Sequence, residues 1–282
     1  IPACMLQTLF QMYLVTAGRP TMGLLLMIGA GIVNAVLDYV LIVICDMGVA
    51  GAAISTLVSR IFCAVVVLIQ LRKDRQPIVV RDYLKIRPDW AMIRRILGIG
   101  IPSGVENSMF QLGKVLVLSL VSTFGTYAIA ANAVSNVITL FSILPGQAIC
   151  LAVTTVIARC VGAGDYEQAK YYNKKLILLT HIGMAITIFI VFITLPFILK
   201  VYNLSEAASE ATRHIIWFHG FCAILIWAES FTLPATFRAC GDAKACMIIS
   251  TVSMWIFRVG ASYILGKNLG LGVFGVWVAM II

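Results

Sequence analysis

GLLLMIGAGIVNAVLDYVLIVIC, residues 23–45, and VAGAAISTLVSRIFCAVVVLIQL, residues 49–71, form two apolar runs joined by a short turn around Asp46, Met47 and Gly48. Each is long enough to cross a bilayer core as a helix, which takes roughly 20 apolar residues. Within the first run Asn34 and Asp38 are four residues apart and so share one helix face. Asp38 precedes Met47 by nine residues and Thr56 follows it by nine, so both sit ~13 Å from the turn at ~1.5 Å per residue. That is close to the midplane of a ~30 Å hydrocarbon core. A carboxylate at that depth must face protein or water. Asn34, Asp38 and Thr56 together offer oxygen ligands to a small cation. The alternative is a structural ion pair of Asp38 with Arg60 or Arg258.

The composition extends this reading to the whole chain. Hydrophobic residues make up 61% and charged residues 12%, with a mean hydropathy of +1.00. A soluble domain carries about twice that share of charge. The chain is therefore read as an all-α, polytopic membrane protein. Its net charge of +9 does not point to nucleic acid, because the basic residues gather in loops between apolar runs. By alternate side, 15 Lys and Arg lie in the loops at Arg19, Arg72–Arg95, Arg159–Lys175 and Arg238–Lys244, against three in the opposite loops. The positive-inside rule makes the first set cytoplasmic. The eight cysteines have no C-x-x-C pair and no histidine at zinc-ligand spacing, and are read as small core residues.

Beyond the hairpin, spans are expected at about 96–124, 129–160, 176–202, 214–237 and 245–265, with a last one from Leu269. A partial helix occupies Ile1 to about Ala17. This gives seven complete and two partial helices. A basic linker, Arg72–Arg95, separates residues 1–80, the remainder of an amino-terminal lobe, from 81–282, a carboxy-terminal lobe. An internal repeat supports two lobes: Ala17-Gly18-Arg19 followed by MGVAGAA matches Cys240-Gly241-Asp242 followed by LGVFGVW. The offset is 223 residues at Gly18 and Gly241, and 224 at Gly48 and Gly272.

The second lobe has its own polar residues. Glu106 lies eleven residues beyond Arg95, ~16 Å deep by the same arithmetic, and Glu229 lies nine residues before Arg238, ~13 Å deep. Pro102 and Pro234 each release a backbone carbonyl nearby. Two carboxyl groups at matching depth suit proton carriage, because desolvation disfavours their charged form. Asn107, Gln111 and Lys114 follow Glu106 on the same span and are candidate substrate-cavity residues; Lys114 is also the expected ion-pair partner of Glu106. His181 and His219 read as core or interfacial residues. G98-I-G100 runs into Pro102, and Gly266-Lys267 lacks Walker spacing, so no nucleotide motif is present and energy must come from an ion gradient or a partner chain.

The Asn34-x3-Asp38 helix, GVAGAAISTLVS from Gly48, GIPSGVENSMFQLGK from Gly100, VGAGDYEQA from Val161 and RACGDAKACM from Arg238 resemble, in order and spacing, the multidrug and toxic compound extrusion (MATE) family. The resemblance implies a twelve-helix transporter of two six-helix lobes in the cell (inner) membrane, in which this chain starts late in the fourth helix and stops within the twelfth. It implies a secondary active exporter, not an enzyme, that exchanges drugs or metabolites, often organic cations, for sodium or protons; the oligomeric state is left open, with a monomer favoured. No cofactor is implied besides that coupling ion. Asn34, Asp38 and Thr56 map to the family's amino-lobe cation site, with a backbone oxygen near Ala52 and Asp38 as the sodium ligand. Glu106 maps to the seventh-helix acidic residue, and Glu229 lies out of register with one on the tenth. Flippases for lipid-linked saccharides share the architecture and are the alternative. An intramembrane enzyme using Glu106 and Glu229 lacks a nucleophile or metal set.

Overall fold

The computed structural model describes residues 20–71 and 89–282, together with Met5, Thr8, Leu9 and Leu14. The expected first helix, Ile1 to Ala17, and most of the basic linker lie outside the described residues. Every regular element among the described residues is a helix, and six of these are long and apolar enough to cross a membrane. The chain divides into two compact units, Ile1–Pro88 and Asp89–Ile282.

In the first unit, α1 (Pro20–Asp38) begins on a proline, whose missing N–H costs nothing at a helix start. It continues as a π-helical turn, Tyr39–Ile44, directly after Asp38. The chain reverses through Asp46 (φ 54°) and Gly48 (φ 52°) into α2 (Gly48–Leu71). Gly51, Ser55, Ser59 and Cys63 form a buried row at four-residue spacing on α2, continued by Val67. Small residues let two backbones approach closely. At Gly51 a Cβ would lie 3.1 Å from the Leu41 carbonyl group, so α1 and α2 meet here almost backbone to backbone.

The second unit starts with α3 (Trp90–Ser122), capped by Asp89, whose carboxylate accepts from Ala91 N at 3.0 Å and Met92 N at 3.2 Å. α4 (Thr126–Gly162), α5 (Tyr166–Tyr202) and α6 (Glu206–Ala239) pack on one another, with the Trp227 ring seated on Gly146. α5 starts ten residues before the expected span because Asp165 caps it, accepting from Gln168 N at 2.9 Å. Ser205 and Asp242 cap α6 and α7 (Ala243–Ser253) in the same way. α7 continues through two π-helical runs, Met254–Ala261 and Tyr263–Asn268, and packs against α3. The last helix is α8 (Gly272–Ile281).

The repeat seen in the sequence is present in the backbone. Cys45 N donates to Val40 O at 3.0 Å and Leu269 N to Ile264 O at 2.9 Å. Met47 N donates to Leu41 O at 3.0 Å, and Leu271 N to Leu265 O at 3.3 Å. Gly48 and Gly272 share a positive φ, and Gly275 approaches the Leu265 carbonyl as Gly51 approaches that of Leu41. All these pairs are 224 residues apart. The offset rises from 223 to 224 across the first helix of each hairpin, and the second hairpin carries the additional π-helical run, whose wider i→i+5 winding absorbs one residue.

Candidate functional site

The Asp38 carboxylate is reached by two helices. Ser55 Oγ, fully buried on α2, is hydrogen-bonded to Asp38 Oδ1 and stands 3.0 Å from Ala52 O. The hydroxyl has one hydrogen for two acceptors. Ala52 O already accepts from Thr56 Oγ1, so that hydrogen is available to the Asp38 carboxylate. The amide orientation of Asn34 that meets its neighbours has Nδ2 donating to Asp38 Oδ2 at 3.2 Å and Oδ1 accepting from Thr56 N at 3.3 Å. Thr56 Oγ1 turns back to Ala52 O at 2.8 Å. Asn34, Asp38, Ala52 and Thr56 therefore come together, and among the described residues the partners of Asp38 are a hydroxyl and an amide, with no arginine. The π-helical turn that starts one residue later widens the helix beside this carboxylate, a distortion frequent at functional sites.

In the second unit Arg238 Nη2 donates to Glu106 Oε1 at 2.9 Å. The expected partner, Lys114, instead lies over the Phe110 ring. Arg238 ends α6, and Lys244, just after it, shares a groove with Trp90, Arg94, Leu97, Gly98, Ile101 and Pro102 of α3. Three turns of α3 thus stand level with the α6–α7 loop. Arg238, near the end of α6, reaches Glu106 in the middle of α3. A carboxylate held in an ion pair is not a free proton carrier, which counts against that reading of Glu106. Asn107 and Gln111 are exposed along α3 with Lys114.

Glu229 has a partner that the sequence did not reveal. His181 of α5 places Nε2 2.9 Å from Glu229 Oε1 and Nδ1 2.8 Å from Ile224 O. A carbonyl only accepts, so Nδ1 carries a hydrogen. The Nε2–Oε1 contact then requires one more proton, on the imidazole or on the carboxyl. The pair is a one-proton site between α5 and α6.

Residues 102–264 match the family model MatE. The chain belongs to the MatE family. It is 26% identical over 236 residues to the probable multidrug resistance protein YoeA of Bacillus subtilis, covering 82% of this chain and 50% of that protein. The probable multidrug resistance protein NorM of Thermotoga maritima is 25% identical over 252 residues, covering 88% and 54%. The chain thus spans about half the length of these curated relatives. Its fold is that of a crystal structure of MATE in the bent conformation, with a TM-score of 0.87 at 19% identity over 98% of this chain and 61% of the other. An outward-facing multidrug resistance MATE family transporter of the MOP superfamily superposes at 0.85, with 20% identity over 94% and 59%.

For this MatE chain the resemblance to the extrusion family is therefore shown, and it is a multi-pass membrane protein. Sequence reasoning overlooked Ser55 and the reach of Arg238, and read His181 as a core or interfacial residue. Ser55 carried a signal, the four-residue row of small residues that marks the buried face of α2. His181 and Arg238 meet their partners across helices, and no spacing within one helix announces that.

Proposed function

We propose that this chain forms part of a multidrug exporter driven by antiport of sodium or protons. The carrying observation is the convergence of Asn34, Asp38, Ser55 and the Ala52 carbonyl, which gathers one carboxylate and several neutral oxygens of the kind that ligate a small cation. A proton or a sodium ion would neutralise the single carboxylate of that set. The His181–Glu229 pair supplies a second protonatable site in the other unit. An ion moves a transporter between outward and inward states only by binding one of them more tightly. Loading and unloading Asp38 changes the hydrogen-bond set between α1 and α2, which gives the ion that leverage. The relatives' names, probable multidrug resistance proteins, agree with export of small organic compounds.

The test uses the full-length protein in vesicles, with export of a fluorescent organic cation followed under an imposed sodium gradient and, separately, a pH gradient. Export under at least one gradient and none without is expected. Export that is unchanged when both gradients are collapsed would remove the antiport reading.

A further inference from the structure

The two hairpins share one backbone, yet their matching positions carry opposite chemistry. At the 224-residue offset that holds beyond the additional π-helical run, Ser262 stands where the first hairpin has Asp38, and Arg258, within that run, lies on the turn that in the first hairpin carries Asn34. Ser262 is fully buried and its hydroxyl returns to the Arg258 carbonyl, so nothing acidic replaces Asp38. The guanidinium of Arg258 lies 5.2 Å from the centre of the Phe110 ring, and Lys114 Nζ lies 4.9 Å from the same point.

Two cations thus share one aromatic ring, Arg258 from the interior of the second unit and Lys114 from its exposed face. Among the described residues neither is in a salt bridge, and Arg258 Nε is buried without a hydrogen-bond partner. Two cations held at one ring repel each other. Cation–π attraction holds each cation to the ring, but it supplies neither the missing acceptor for Nε nor relief of the repulsion. An anion provides both. Arg presents a planar fork of donors that fits a carboxylate, sulfonate or phosphate, and Lys adds a point charge. Phe110 offers a surface on which an aromatic body stacks. Access follows from α3, where Asn107, Gln111 and Lys114 form an exposed polar stripe. Polar side chains within a membrane span face water or protein rather than lipid.

We propose that Arg258, Lys114 and Phe110 form a subsite for the anionic group of an aromatic, amphipathic compound, so that the exporter accepts zwitterions and anions as well as cations. The physiological role of the subsite rests on the export reading above; its existence does not.

The experiment measures binding of 1-pyrenesulfonate and of its counterpart 1-pyrenemethylammonium to the purified full-length protein by fluorescence. Arg258→Gln and Lys114→Gln should each weaken pyrenesulfonate about tenfold or more, as expected for loss of a charge-assisted hydrogen bond. Lys114→Arg should keep most of the affinity, and pyrenemethylammonium should bind no more weakly to either neutral variant. Pyrenesulfonate affinity unaffected by either substitution would overturn the proposal. If Arg258→Gln does not fold, the exposed Lys114→Gln decides alone. Vesicle export is measured on the same samples: a protein that binds pyrenesulfonate through Arg258 but exports nothing under any gradient would sink the export reading and leave the subsite standing.

Discussion

Arg238 Nη2 joins Glu106 Oε1 at 2.9 Å, tying the last turn of α6 to the middle of α3 by one bond rather than a fork. Glu106 Oε2 and Arg238 Nε are both buried without a partner. The Glu106 side chain is 12% exposed and that of Arg238 36%, so the carboxylate depends on the pair more than the guanidinium does. Removing one member of a buried pair strands the other at a cost of about 3–5 kcal/mol. Arg238→Gln should therefore lower the melting temperature of the full-length protein in detergent more than Glu106→Gln. The double variant should recover part of the loss. Equal effects of the two single changes would show that the pair is solvated on both sides.

The Nδ1 hydrogen of His181 fixes the meaning of its contact with Glu229. Glu229→Gln supplies an amide N–H to Nε2 and so imitates the protonated carboxyl without exchanging a proton. Export driven by a pH gradient should fall about 10²-fold or more, within the usual range for loss of a positioned acid or base. Protein yield and thermal stability should hold. Undiminished pH-driven export by Glu229→Gln would make the pair a purely structural link between α5 and α6.

Close approach distinguishes two glycines. A Cβ at Gly275 would lie 2.7 Å from the Leu265 carbonyl oxygen, whereas at Gly113 it would meet the end of the Met254 side chain. Backbone cannot step aside as a methionine can. Gly275→Ala should cost about 1–3 kcal/mol, as overpacking does, and Gly113→Ala clearly less. Thermal unfolding of both variants checks the order.

Much of this arrangement was legible in the residues, and the gaps have physical causes. The Asn34–Asp38 pair could be read from helical spacing because both lie on one helix. The α1–α2 hairpin and its copy near the end of the chain could be read from glycines that the turns require. α5 extends ten residues before the apolar span that begins at Leu176, and Asp165 followed by Gln168 carries the chemistry of the helix cap that starts it. The partners of Glu106 and Glu229 were hidden for another reason. Arg238 and His181 reach them from other helices, and the packing of those helices is decided by Gly146, Trp227 and similar contacts that only the folded chain displays.

Asp38 and Ser55 permit the sharpest test of the coupling site. In Asp38→Asn the side chain is neutral, fits the same space and can donate to Ser55 Oγ, while Ser55 still donates to Ala52 O. The hydrogen-bond set of the proton-loaded state is thereby fixed, and membrane insertion is eased because an amide is cheaper to bury than a carboxylate. Export driven by either ion should be lost, with protein level in the membrane unchanged. Ser55→Ala acts differently. It keeps the carboxylate and removes one hydrogen bond to a charged group, worth about 1.5–3 kcal/mol, so about a tenfold or larger change in apparent sodium or proton affinity is expected. The maximal rate at saturating ion should survive. Thr56→Val provides the contrast, since its hydroxyl bonds Ala52 O and not Asp38: the backbone N–H that meets Asn34 remains, and the effect should be smaller than that of Ser55→Ala. Vesicle transport titrated with sodium at fixed pH, and with pH at fixed sodium, separates the three variants. A Thr56→Val defect larger than that of Ser55→Ala would mean that the ion is held by the Thr56 hydroxyl rather than by the buried pair of Asp38 and Ser55.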